Sequence, residues 1–217
     1  MARLELFYGC NLWNFNNNDM DKNTDLEKYN FKEGIGYIYT LDDVEKGMSP
    51  IRRHCWQNIS FSKVWMDFYG DEFERYMLDT MESAGGLGLA ANQLGFSFRA
   101  FAMNTEDHWG VIYNPEITKF SDTKTKDFEG CLSIPDKIGL VPRFDWIDVI
   151  YEAAPHGMKV TRQFNGLSAR VFQHELDHLN GVVISDYWTD NEAWAYISEM
   201  EETWEGYKDL EFDKTTL

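Results

Sequence analysis

Two histidines four residues apart, His174 and His178 in the segment QHELDH, constrain this chain more tightly than any other feature. On an α-helix, positions i and i+4 share a face, so both imidazoles point the same way and Glu175 stands beside them. The surrounding residues suit a helix from about Leu167 to Leu179, with Asn180-Gly181 as its C-terminal cap. Two imidazoles are an incomplete site, because a catalytic metal normally takes three protein ligands and leaves a position for water. The third ligand has to come from another part of the chain. Cys131, His54, His108, His156 and many carboxylates are available, and a lone cysteine such as Cys131 ordinarily reads as a small buried hydrophobe.

The rest of the pattern says what that helix packs against. Phe73, Tyr76, Met77, Thr80, Met81 and Ala84 recur at helical spacing between Asp71 and Ala84, and Gly85-Gly86 supplies a stop. Short β-prone runs follow at 98–104, 109–115 and 146–153, the last leading through APHG into MKVTRQFN as a hairpin. A helix, several strands and then the histidine helix predict an α+β fold, with mixed or antiparallel strands around a central metal-binding helix. From Asn191 onward, Trp194, Ile197, Met200, Trp204 and Tyr207 form one stripe and predict an additional amphipathic C-terminal helix. The expected organisation is an N-terminal extension (1–48), a catalytic domain (49–190) and an acidic terminal helix (191–217).

Charge and cysteine usage narrow the setting. A net charge of −17 opposes general affinity for nucleic acid or anionic membrane. Three widely spaced cysteines, Cys10, Cys55 and Cys131, favour a reducing compartment. The first residues lack the apolar core of a signal peptide, and no apolar run approaches the roughly 20 residues of a membrane span. The expectation is a soluble, cytoplasmic protein.

GLGLAANQ (86–93), EGCLS (129–133) and QHELDH (173–178), in that order, resemble the three defining motifs of the peptide deformylase family. The resemblance runs from about Pro50 to Tyr187, with Pro50–Cys55 as a leading strand. It implies that Cys131, His174 and His178 bind one divalent metal ion, with water at the fourth position. Fe(II) is the metal that the resemblance implies. A thiolate with two neutral imidazoles is also acceptable to Zn(II), Co(II) or Ni(II).

The same resemblance assigns the remaining roles. Glu175 becomes the general base, with Gln93 and the backbone N–H of Leu132 as donors to the developing oxyanion. Gly86 and Gly88 let the chain approach the substrate closely, Leu87 and Leu167 line the pocket for its first side chain, and Glu129 lies near the bound substrate. The implied reaction is hydrolysis of the formyl group from N-formylmethionyl peptides, nascent chains at the ribosome, releasing formate.

Some positions depart from this pattern or go beyond it. Ile138, with Lys137 beside it, stands where some family members carry an arginine that contacts the substrate. Arg170, one turn before His174, lies at the edge of the expected pocket, and Asp177 is expected to pair with Arg143. Two other classes share parts of the pattern. A metallopeptidase would take a downstream glutamate, Glu199 or Glu202, as third ligand, and a metal-stabilised binding module would close the site with a fourth protein ligand.

Overall fold

The computed structural model describes residues 36–45, 50–55, 70–188 and 194–196. A short helix α1 (Leu41–Glu45) precedes α2 (Asp71–Ser83). Next come β1 (Gly88–Ala90), a 3-10 turn (Ala91–Leu94), β2 (Ala100–Thr105) and β3 (His108–Phe120). Strands β4 (Lys124–Cys131), β5 (Ile134–Phe144), β6 (Trp146–Ala153) and β7 (Met158–Asn165) lead into α3 (Gly166–Leu179), the helix of the two histidines. A 3-10 turn (Ile184–Tyr187) and β8 (Trp194–Tyr196) complete the described residues. Among the described residues all strand pairs are antiparallel, in a five-stranded sheet ordered β1-β2-β3-β6-β7 and a three-stranded sheet ordered β4-β5-β8. The α+β expectation therefore holds, in its antiparallel form.

Helix α3 packs against β1, β2, β6 and β7 of the larger sheet and β5 of the smaller one. Its apolar side faces the larger sheet: Ala169, Phe172 and Leu179 join Phe101, Met103, Ile112, Ile147, Val149, Tyr151 and Phe164 in one core. Phe172 meets Phe101 edge-on at 5.1 Å between ring centroids. Burying each such side chain contributes about 1.5–3 kcal/mol, so the helix is anchored by its neighbours rather than by its own propensity. A second cluster forms around the cysteine hairpin, where Cys131, Ile134 and Val141 pack with Ile51, Val183 and Ile184.

The end of α3 explains why Gly181 follows it. Gly181 has a φ of 77°, and its N–H donates to the His178 carbonyl at 2.9 Å while Val182 N–H reaches the Asp177 carbonyl. A Cβ at position 181 would sit 2.7 Å from the carbonyl oxygen of Arg52. Conformation and space thus both require glycine there.

Two expectations change. Residues 50–55 form a turn and an extended tail rather than a strand; their bonds run locally, Arg53 N–H to Pro50, and to the end of α3, Cys55 N–H to the Leu179 carbonyl. With those groups used there, they form no sheet ladder. Residues 194–196 were expected in the amphipathic C-terminal helix but form strand β8, pairing with Lys137–Gly139. The aromatic-rich tripeptide suits a strand, and β5 offers it an open edge. The remainder of that expected helix, and residues 1–35 of the expected extension, lie outside the described residues.

Residues 36–45 belong to the expected extension. They are stitched to the domain, with Tyr39 N–H donating to the Gln93 carbonyl at 2.8 Å and Leu41 N–H to the Ser133 carbonyl at 3.0 Å. Among the described residues no helix is long and apolar enough to cross a membrane.

Candidate metal centre

The two ends of the chain's chemistry meet at the junction of α3 and the β4–β5 hairpin. Helical spacing sets the ring centroids of His174 and His178 5.0 Å apart and their Nε2 atoms 3.2 Å apart. Cys131 reaches them from the end of β4. The register slips between Gly130, paired with Ile138, and Cys131, paired with Ile134. Such an irregularity re-aims a side chain, and here it accompanies a Cys131 Sγ placed 3.2 Å from His178 Nε2.

The three donor atoms lie within 4.8 Å of one another. Ligands about 2.0–2.3 Å from one tetrahedral ion would be separated by roughly 3.3–3.6 Å, so this set fits a metal with small adjustment. Both histidines turn Nε2 toward the common point. His174 Nδ1 is already committed to Glu129 Oε2 at 3.0 Å, the carboxylate–histidine pairing that fixes ring orientation at metal sites.

Glu129 is the hub of the surrounding charges. Its Oε1 accepts from Arg143 Nε at 2.9 Å and Arg170 Nη1 at 2.8 Å, while Oε2 accepts from Arg143 Nη2 at 3.0 Å and pairs with His174. Burial would raise this carboxyl, but the bonds from His174 and Arg143 prevail and hold it down at about 2. Arg143 also bonds Asp177 Oδ2, the pairing expected from sequence, and Asp177 accepts from the Tyr187 hydroxyl at 2.8 Å.

Removing Arg143 would leave Glu129 buried without its fork, a loss that in comparable sites costs about 3–5 kcal/mol. Arg143→Leu and Asp177→Asn are therefore expected to be non-additive by about 0.5–3 kcal/mol in urea unfolding. Additive losses would show that the two side chains do not act as a unit.

Glu175 follows His174 on α3. It is buried, and its Oε2 has no hydrogen-bond partner among the described residues. Burial pushes the carboxyl up to about 7, against the lowering pull of His174. Its neighbour is Gly88: a Cβ at that position would lie 2.7 Å from Glu175 Cδ, so only glycine leaves the carboxylate its place.

The glycine-rich segment is fixed from inside. Gln93 Oε1 accepts from Ala90 N–H at 2.7 Å, and Gln93 Nε2 donates to Ser133 Oγ at 3.1 Å, which turns the amide nitrogen toward the cysteine loop. A Cβ at Gly86 would fall 2.8 Å from Leu132 Cδ1, so these two candidates are in contact range. Leu87 and Leu167 are 46% and 56% exposed, so neither side chain is spent on the core.

Of the other third-ligand candidates, none joins a cluster of metal-binding groups among the described residues. His108 stacks edge-on with Tyr151, and His54 Nδ1 lies 3.3 Å from the Leu179 carbonyl. Glu199 and Glu202 lie outside the described residues. Two supporting residues escaped the sequence reading. Asn92 donates to the His178 carbonyl at 2.6 Å and to Ile51, and Ser133 donates to the Tyr39 carbonyl at 2.6 Å. Both sit inside recognised motifs, but nothing local in either motif reveals a partner so distant in sequence.

Known proteins resemble this arrangement in sequence and in shape. A family model described as polypeptide deformylase matches residues 67–194. The peptide deformylase of Symbiobacterium thermophilum is 40% identical over 129 residues, covering 58% of this chain and 58% of that protein. That of Roseiflexus castenholzii is 36% identical over 141 residues, covering 58% and 76%. The chain thus spans under two thirds of the first relative's length and about three quarters of the second's.

Among solved structures, the peptide deformylase of Thermotoga maritima superposes with a TM-score of 0.63 at 32% identity, covering 73% of this chain and all of that one (100%). A probable peptide deformylase from Synechococcus phage S-SSM7 gives 0.58 at 34% identity, covering 70% and 99%.

Proposed function

The chain belongs to the polypeptide deformylase family, and from that premise we propose that it hydrolyses the formyl group from N-formylmethionyl peptides. The observation that carries the reading is the gathering of Cys131, His174 and His178 beside a buried Glu175 oxygen that has no hydrogen-bond partner among the described residues. These three side chains would hold one divalent ion, with Fe(II) as the metal proposed here. When bound, the ion supplies positive charge that polarises water and the formyl carbonyl.

The chain's own groups do the rest. Glu175 takes a proton from the attacking water and returns it to the amine as the formamide C–N bond breaks, leaving formate and a free α-amine. The Gln93 amide and the Leu132 N–H receive the negative charge that develops on the formyl oxygen. The Gln93 bonds to Ala90 and Ser133 hold its amide in place before substrate arrives.

Gly88 leaves room for both the small formyl group and Glu175, and Gly86 admits the peptide backbone. Leu87 and Leu167 supply exposed apolar walls for the methionine side chain. Glu129 serves this site by orienting His174. Nascent chains at the ribosome, in the cytoplasm, are the proposed source of substrate.

The test is formate release from formyl-Met-Ala-Ser by protein loaded anaerobically with Fe(II), Co(II), Ni(II) or Zn(II). Release with at least one metal, greatest with Fe(II), is expected. No release with any of the four would overturn the reading.

A further inference from the structure

Arg170 lies on the same face of α3 as the metal-binding histidines, one turn before His174, and the reaction above gives it no part. Its side chain is 13% exposed, and its guanidinium is committed to the protein. Nη1 donates to Glu129 Oε1 at 2.8 Å and to the Val141 carbonyl at 2.9 Å, and Nη2 donates to the Thr125 carbonyl at 2.9 Å. These acceptors belong to both strands of one hairpin. Thr125 and Glu129 are on β4 and Val141 is on β5, and β4 ends at Cys131.

We propose that Arg170 is a positioning residue of the metal site, a clamp that fixes the hairpin carrying Cys131 against the helix carrying His174 and His178. The proposal rests on the three-ligand reading given above. A thiolate from one sheet and two imidazoles from a helix keep their spacing only if the two elements are tied together. The ties run through a few side chains. Gln173 exchanges two hydrogen bonds with the Phe144 backbone, Arg143 bridges Glu129 and Asp177, and Arg170 bonds both strands at once.

The carboxylate of Glu129 shows how complete the arrangement is. A carboxylate offers about four lone-pair sites, and Glu129 has four partners: two nitrogens of Arg143, one of Arg170 and Nδ1 of His174. Without Arg170, Oε1 loses one of its two donors and two hairpin carbonyls lose their tie to α3. The Arg143 fork stays on Glu129, but the hairpin gains freedom relative to the helix, and the Glu129–His174 bond shares that freedom. Lysine can reach one of the three acceptors as a point charge and does not reproduce the planar fork.

The experiment titrates metal-free protein anaerobically with Co(II), reading the thiolate-to-cobalt absorption and the affinity by chelator competition. Wild type is compared with Arg170→Lys, Arg170→Leu and Val149→Ala, the last a core change in β6 on the larger sheet. Arg170→Leu is expected to lose about 10–100-fold in Co(II) affinity with a shifted visible spectrum, and Arg170→Lys to fall between it and wild type. Val149→Ala is expected to lose thermal stability with wild-type affinity and spectrum.

An Arg170→Leu protein with wild-type affinity and spectrum would overturn the proposal, whatever its melting temperature. If that variant does not fold, Arg170→Lys decides by the same criterion. A Val149→Ala protein that loses Co(II) affinity in step with its stability would also overturn it, since affinity would then follow general destabilisation. Wild type that gives the thiolate–cobalt band yet releases no formate would sink the deformylase reading alone. Wild type with no such band would sink both.

Discussion

Glu175→Gln is expected to lower kcat for formate release by about 10²–10⁴-fold while metal content stays at the wild-type level. Glutamine keeps the shape of the side chain beside Gly88 and removes its ability to take and return a proton. Glu175 is 3% exposed, and the burial that lifts its carboxyl to about 7 places it where a general base works near neutral pH. A group used only as the proton moves should lower kcat and kcat/KM together, with KM little changed. Steady-state formate release with parallel metal analysis checks this. A variant with full metal content and unchanged kcat would remove Glu175 from the reaction.

What could be read from the sequence was whatever depends on local repetition. Strand β6 coincides with the β-prone run at 146–153, because Ile147, Val149 and Tyr151 alternate into the core. Helix α3 begins one residue before its expected start and ends where expected, since Gly181 marks its end by conformation and by contact. The gathering of Cys131, His174 and His178 was legible by another route. A short motif keeps its residue types because the chemistry demands them, so its likeness to a family survives where periodicity is weak.

The rest depends on distant partners. The sequence predicts a strand ending at residue 115, yet β3 runs on to Phe120, past register shifts at Tyr113/Glu116 and Ile117/Lys119 that break the alternation. The hairpin carrying Cys131 gave little signal. Six of the eight residues of β4, Lys124 to Phe128 and Gly130, are exposed, and β5 contains Pro135 and Pro142. Nor does spacing announce the ion cluster: Glu129 lies 14 residues from Arg143 and 41 from Arg170. Only folding makes those three side chains neighbours. The expected Asp177–Arg143 pair was therefore half of the answer, its larger member being the buried carboxylate that also holds His174.

Cys131→Ala is expected to abolish stable metal binding. Losing a ligand should cost more than the roughly 10–100-fold that losing an outer hydrogen-bonding partner costs, and formate release should fall with the metal. The fold is expected to survive, because a small side chain is replaced by a smaller one in the cluster of Ile51, Ile134, Val141, Val183 and Ile184. Melting temperature of the metal-free protein separates the two effects. It should change little, while cobalt-loaded samples lose the thiolate-to-cobalt absorption.

Glu199→Ala and Glu202→Ala complete the comparison, since a downstream glutamate is the third ligand in the metallopeptidase pattern. Both are expected to retain metal and activity. Retention of one metal per chain by Cys131→Ala, with near-normal formate release, would show that the thiolate is not a ligand. The 3.2 Å approach of Cys131 Sγ to His178 Nε2 would then be packing alone.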